Sequence, residues 1–218
     1  MTDVRKMVDE ITPEITDMRN YIHENPELSM KEYQTCALLE DYVKKHVEYD
    51  RLKRVGETGL FFEIKGTKPG SGPTIVFRGD IDALPIQEDE DMSPRSKVPG
   101  VMHACGHDTH GAMLLGAVKV LNEMKDEIEG TVKFFFQPGE EVGKGAAAMV
   151  AEGALEGVDG VMGIHISSDM PVGTINADPG PRMASADSFK VTITGKGGHG
   201  ARPEQCIDAV VVGAATVM

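Results

Sequence analysis

The stretch His103-Ala104-Cys105-Gly106-His107-Asp108-Thr109-His110 gathers, within eight positions, five residues that can bind a transition metal or move a proton. The small residues between them leave room for the donors to crowd together. Cys105 and His107, one residue apart, bring a soft thiolate and an imidazole toward one point. That donor set suits zinc, manganese, cobalt or nickel. A metal site of this kind points to hydrolysis. A competing reading makes Cys105 a nucleophile with His107 or His110 as its base. Cys105-Gly106-His107 is a tight spacing for that pair, and the acids and histidine further along the chain would then have no role.

Helices and strands must deliver those partners. Leu60 to Ile64 and Thr74 to Arg78 read as strands, joined by the turn-rich Lys68-Pro69-Gly70-Ser71-Gly72-Pro73. Thr131 to Gln137 reads as a strand stopped by Pro138-Gly139, and Val158 to Ile166 as another. Ser29-Met30-Lys31-Glu32 has the spacing of a capping box, with Leu28 and Tyr33 placed for a hydrophobic staple. It predicts a helix to about Lys45 with Cys36, Leu38, Leu39 and Tyr42 on one face, so Cys36 belongs to the core. Asp108 or Thr109 is placed to cap a further helix to about Lys125. Strands alternating with helices predict an α/β domain with a mostly parallel, mixed sheet. Asp80 and Asp82 follow one strand, Glu140 and Glu141 follow another, and His165 lies near the end of a third. In an open α/β sheet ligands gather outside the carboxyl ends of the strands. Three strands would therefore bring acids and an imidazole to the edge that the Cys105-Gly106-His107 loop can reach.

Composition narrows the partners. The 218 residues would make one large domain or about one and a half ordinary ones. A net charge of -13 without long runs of one sign argues against nucleic acid or an anionic membrane surface as partner. No apolar stretch is long enough to span a bilayer, and the first seven residues are too polar for a signal peptide. Cys36, Cys105 and Cys206 are odd in number and far apart, which does not describe a disulfide framework. A reducing, cytoplasmic setting is expected.

Six segments in order carry a resemblance. They are Arg19-Asn20-Tyr21-Ile22-His23-Glu24-Asn25-Pro26-Glu27-Leu28, Phe77-Arg78-Gly79-Asp80-Ile81-Asp82-Ala83-Leu84-Pro85, the run from His103 to Asp108, Phe136-Gln137-Pro138-Gly139-Glu140-Glu141, Gly163-Ile164-His165, and the run from Gly195 to Pro203. Together they resemble the metal-dependent aminoacylase and carboxypeptidase superfamily, in its branch of N-acyl-amino-acid amidohydrolases, which includes hippurate and auxin-conjugate hydrolases. The resemblance implies a zinc-exopeptidase-like catalytic domain over residues 1–182 and the start of an inserted α+β lid, or dimerisation domain, over 183–218. It implies Cys105, His107, Glu141 and His165 as ligands of divalent metals, two per complete site (Mn, Zn, Co or Ni), and Glu140 as the general base acting on water. It implies that Asp82 orients a ligating histidine; Asp80 and Asp108 could do likewise or simply cap turns. His103 and His110 are expected to pack or hydrogen-bond rather than ligate, and His23 to be structural. His46 is expected to face solvent. The substrate implied is a small N-acyl amino acid, cleaved to a carboxylate and a free amino acid. The partner implied is a second copy of the chain, met through the lid.

The run Gly195-Lys196-Gly197-Gly198-His199-Gly200 follows an expected strand over Phe189 to Thr194 and spells a dinucleotide-binding pattern. Arg202-Pro203 delays the next helix, and the acidic residue expected about 20 positions on falls at or beyond the last residue. The family resemblance instead implies that His199 reaches a partner's site to hold the substrate carboxylate or the oxyanion. Two segments depart from the pattern: Ile166-Ser167-Ser168 replaces an aromatic residue and proline, and Glu204 replaces a histidine after Arg202-Pro203. Asp208 to Met218 reads as an apolar helix without a stop signal. Family members continue past it through the rest of the lid to a final ligating histidine, so the chain resembles an N-terminal portion. Two functions are then expected: a metal-dependent amidohydrolase, or a non-catalytic metal-binding or oligomerising remnant of one.

Overall fold

The computed structural model describes residues 2–218. In chain order the elements are α1 (Val4–Glu24), α2 (Tyr33–His46), β1 (Arg51–Val55), β2 (Gly59–Lys65), β3 (Thr74–Asp80), α3 (His107–Glu123), β4 (Thr131–Gln137), α4 (Gly145–Ala151), β5 (Gly160–Gly163) and α5 (Ala209–Val217). Two compact units form, one reaching to Met170 and one over Pro171–Met218.

The first unit is built on a five-stranded sheet in the order β1-β2-β4-β3-β5. β1 with β2 and β2 with β4 are antiparallel, while β3 runs parallel to both β4 and β5. The sheet is therefore mixed, as expected. β4 lies at its centre, and its run of three phenylalanines divides between the two faces. Phe134 and Phe136 turn to one side, where they stack with Phe62 at ring separations of 5.0 and 6.3 Å among residues of α2 and α3. Phe135 turns to the other and meets Phe61, Val76 and Met149. Burial on both faces explains why Phe134, Phe135 and Phe136 follow one another instead of alternating with polar residues.

Several local expectations are corrected. α2 begins at Tyr33, and the Ser29–Glu32 capping box does not form. Ser29 Oγ donates instead to Asp82, and the Glu32 carboxylate accepts from Met30 N and Gly139 N. The first turn of α2 is capped by Glu27, which accepts from Gln34 N at 3.1 Å and Thr35 N at 2.8 Å. With Tyr33 as the first helical residue and half exposed, the staple has no geometry to form. α3 is preceded by Gly106 in the left-handed region (φ 83°), so neither Asp108 nor Thr109 is its cap. The strand expected over Val158 to Ile166 is confined to β5. Phe189 to Thr194 forms no strand: among the described residues no ladder takes up its backbone groups, and the second unit has one isolated bridge, Lys196 to Ile207. α5 forms where the apolar run predicts it, capped by the Asp208 carboxylate on Val210 N and Val211 N. No helix among the described residues is long and apolar enough to cross a membrane.

Candidate metal centre

Because β3, β4 and β5 are mutually parallel, their carboxyl ends open on one edge of the sheet. Asp80 closes β3 and Asp82 lies just beyond it; Glu140 and Glu141 lie past β4; His165 lies past β5. α3 starts at that same edge with His107 as its first residue. Gly139, at φ 55°, turns the chain out of β4, and Met30 packs so close that an added Cβ would stand 2.5 Å from its sulfur.

Asp82 organises the floor of the site. One oxygen accepts from His107 Nδ1 (3.2 Å), and the other accepts from Ser29 Oγ (2.6 Å) and Glu141 N (3.1 Å). Burial opposes its charge, yet these bonds from His107, Ser29 and the Glu141 and Glu140 backbone outweigh it and hold the carboxyl at about 2. Nδ1 of His107 is thus the donor, leaving the Nε2 lone pair free. That nitrogen is buried without a hydrogen-bond partner, as are Glu141 Oε1 and Asp80 Oδ2. Nε2 lies 3.9 Å from Glu141 Oε1, 3.7 Å from Asp80 Oδ2 and 4.0 Å from Glu140 Oε2. Arg78 Nη1 is 2.7 Å from Asp80 Oδ2 as an ion-pair partner, without the alignment of a hydrogen bond. Stranding a buried polar atom costs about 1–3 kcal/mol, and a divalent cation among these three would relieve all of them. The donor set fits such an ion.

Cys105 and His165 complete the cluster. His165 Nδ1 donates to the Ile166 carbonyl at 2.6 Å, and its Nε2 faces Cys105 Sγ at 3.4 Å. Three groups have donor atoms all within 4.8 Å of one another: Cys105, His107 and His165; His107, Glu140 and Glu141; and Asp80, His107 and His110. His107 is common to all of them. Burial, with the charges of Glu141, Glu140 and Asp80, pushes the Cys105 thiol up to about 11, so a metal bound there would have to displace a proton. Burial works against a charged His107, but Asp82, Asp80 and Glu141 raise its pKa overall.

The remaining residues sort by their partners. His103 is buried with neither nitrogen bonded, and burial lowers it to about 4, so the ring is neutral packing. His23 is structural: it bridges Asp108 and Glu88, each at 2.8 Å. His110 and Asp80 bond each other at 2.5 Å. His46 is exposed and packs its ring on Tyr42. His199 lies in the second unit, where its Nδ1 accepts from Ala201 N at 3.1 Å. The sequence reading missed Glu32 as a support of the Gly139 turn and Ser29 as a support of Asp82. Both are in the motif read as a helix cap.

Residues 76–217 match the profile of peptidase family M20/M25/M40. The chain belongs to this family. Thermostable carboxypeptidase 2 of Saccharolobus solfataricus is 47% identical over 209 residues, covering 94% of this chain and 52% of that relative. The N-acyl-L-amino acid amidohydrolase of Geobacillus stearothermophilus is 42% identical over 99% of this chain and 58% of its own length. Among solved M20 structures, the YXEP protein of Bacillus subtilis, described as a dinuclear metal binding peptidase, superposes with a TM-score of 0.74 at 41% identity, covering 79% of this chain and 48% of that one. The chain thus spans about half the length of the M20 relatives it matches.

Proposed function

We propose that this chain carries the catalytic residues of a metal-dependent amidohydrolase that cleaves N-acyl amino acids to a carboxylate and a free amino acid. The observation that carries the reading is the convergence of three buried donor atoms without a hydrogen-bond partner (His107 Nε2, Glu141 Oε1 and Asp80 Oδ2) beside Cys105 and His165. Cys105, His107, Glu141 and His165 would hold the divalent ions, two in a complete site, with manganese, zinc, cobalt and nickel all compatible with the donors. When bound, such ions supply Lewis acidity toward the amide carbonyl and make water acidic enough to lose a proton near neutrality.

The chain's own residues do the rest. Glu140 is the more exposed of the adjacent glutamates, at 41% against 22% for Glu141. Its carboxylate stands at the mouth of the cluster, free to take a proton from the attacking water and return it to the leaving amine. Asp82 keeps the His107 ring in the tautomer that presents Nε2. His199 would hold the substrate carboxylate or the oxyanion, in a second copy of the chain joined through the unit that begins the lid.

The test is an assay of the chain on N-acetyl and N-benzoyl amino acids with each metal, beside Glu140→Gln. The variant should bind metal as the wild type does and lose turnover by about 10²–10⁴-fold. Turnover that survives chelation, or a Glu140→Gln variant as active as wild type, would overturn the reading. Metal binding without turnover in the wild type would favour the non-catalytic alternative.

A further inference from the structure

We infer that His110 is a positioning residue that latches the loop after β5 and so aims His165 at Cys105. The inference rests on the metal reading above, and the chain's own bonds carry it. His165 is exposed, and β5 before it has only four residues, three of them also exposed. Burial of the side chain therefore does little to fix the imidazole. Ile166, the next residue, is held in three ways. Its N–H donates to His110 Nε2 at 3.0 Å. Its carbonyl accepts from His165 Nδ1 at 2.6 Å, which turns Nε2 of that ring toward Cys105 Sγ. Its side chain sits directly on Gly106, where an added Cβ would stand 2.1 Å from Ile166 Cδ1. The loop carrying His165 is thereby clamped to the loop carrying Cys105 and His107.

The same bonds say what His110 is not. An N–H can only donate, so His110 Nε2 accepts and carries no proton, and the ring's single proton is on Nδ1, donated to Asp80 Oδ1. Both nitrogens are then occupied. His110 shares a cluster with Asp80 and His107, yet it has no lone pair left to offer an ion. One side chain thus joins Asp80 at the end of β3 to the backbone beside His165 at the end of β5, two strands that are neighbours in the sheet. It is 2% exposed, so its ring has little freedom to move.

The experiment is a cobalt titration against a chelator dye, with amide exchange of Ile166 followed in the metal-free chain. His110→Ala should weaken cobalt binding by about 10–100-fold, the usual effect of losing a group that orients a ligand, and should speed exchange at Ile166. His165→Ala should weaken binding similarly, and the double variant should bind no more weakly than His165→Ala alone. His110→Gln, whose amide oxygen can accept from Ile166 N, should recover most of the loss. Ile166→Pro removes the donor and leaves Asp80 and His110 intact, so it should reproduce the affinity loss even if His110→Ala fails to fold. Losses that add in the double variant, or an Ile166 amide that exchanges in His110→Ala as in wild type, would overturn the latch. A wild-type chain that takes no cobalt, or a His165→Ala variant that binds as wild type, would instead remove the metal reading. The exchange rate of Ile166 then decides the latch by itself.

Discussion

Asp82 commits both carboxylate oxygens to the site, one to the His107 ring and the other to Ser29 and the Glu141 backbone. A single anion therefore sets the direction of one donor and the start of the turn that carries two more. Asp82→Asn keeps the volume but replaces one acceptor with an amide that must face a donor. Metal affinity should fall by about 10–100-fold, measured by competition with a chelator dye, while the circular dichroism stays that of the wild type. An unchanged affinity would remove Asp82 from the site. At this scale the sequence is most legible where a residue type has few uses. The candidate ligands Cys105, His107, Glu141 and His165 stand out because thiolate, imidazole and carboxylate are spaced so that the start of α3 and the ends of β4 and β5 can carry them to one edge. Asp80, Ser29 and Glu32 are less so, because aspartate, serine and glutamate also close turns and helices. Only the fold shows that Asp80 meets His110, or that Ser29 meets a carboxylate 53 positions away.

The helix cap on α2 shows the same ambiguity one level up. Ser29 and Glu32 have capping-box spacing, but both side chains reach across the fold to the metal edge, and Glu27 takes over the helix N-terminus. Glu27→Ala should destabilise the chain by about 1 kcal/mol, the usual cost of losing a cap, and should speed amide exchange at Gln34 and Thr35. Ser29→Ala should leave those two amides as protected as before. If Ser29→Ala deprotects them and Glu27→Ala does not, the cap is the one the sequence spells. The strands are read more reliably. β4 has the predicted bounds because a segment rich in β-branched and aromatic residues, Thr131 to Gln137, lies between Gly130 and Pro138-Gly139. The Phe189 to Thr194 pattern has the alternation of a strand, but alternation does not supply a neighbour for its backbone. Pro13 lies inside α1 and masks from the sequence a helix whose Ile11 and Ile15 pack toward Gly116 of α3.

Across the whole first unit, α1 is tied to the metal edge by a buried ionic network. Arg19 Nε is an ion-pair partner of Asp108 Oδ2 at 2.8 Å, His23 Nδ1 donates to that same oxygen at 2.8 Å, and His23 Nε2 donates to Glu88 at 2.8 Å. These bonds join α1, the first turn of α3 and the loop after Asp82, just behind His107. With both ring nitrogens donating, His23 is favoured as the cation. The Asp108 bond raises its pKa above the ordinary 6.5, against burial and with help from Glu88. A raised folded value means that the cation's contribution is fully present below pH 6.5 and is lost as pH rises through the folded pKa. Asp108 and Glu88 move the opposite way. Burial opposes both charges, but the His23 bond to Asp108, and the Ser96 N and His23 bonds to Glu88, lower their values, so their contribution is lost only on acidification below the ordinary carboxylate range. The network is strongest between those limits. His23→Gln should therefore cost about 2 kcal/mol in mildly acidic solution, the scale of a lost hydrogen bond to a charged group. The difference from wild type should shrink as pH is raised beyond neutrality. Urea denaturation of both proteins across this range measures it. A difference that stays constant, or grows with rising pH, would mean that His23 serves as a neutral ring and that α1 is held to α3 by Arg19 and apolar packing.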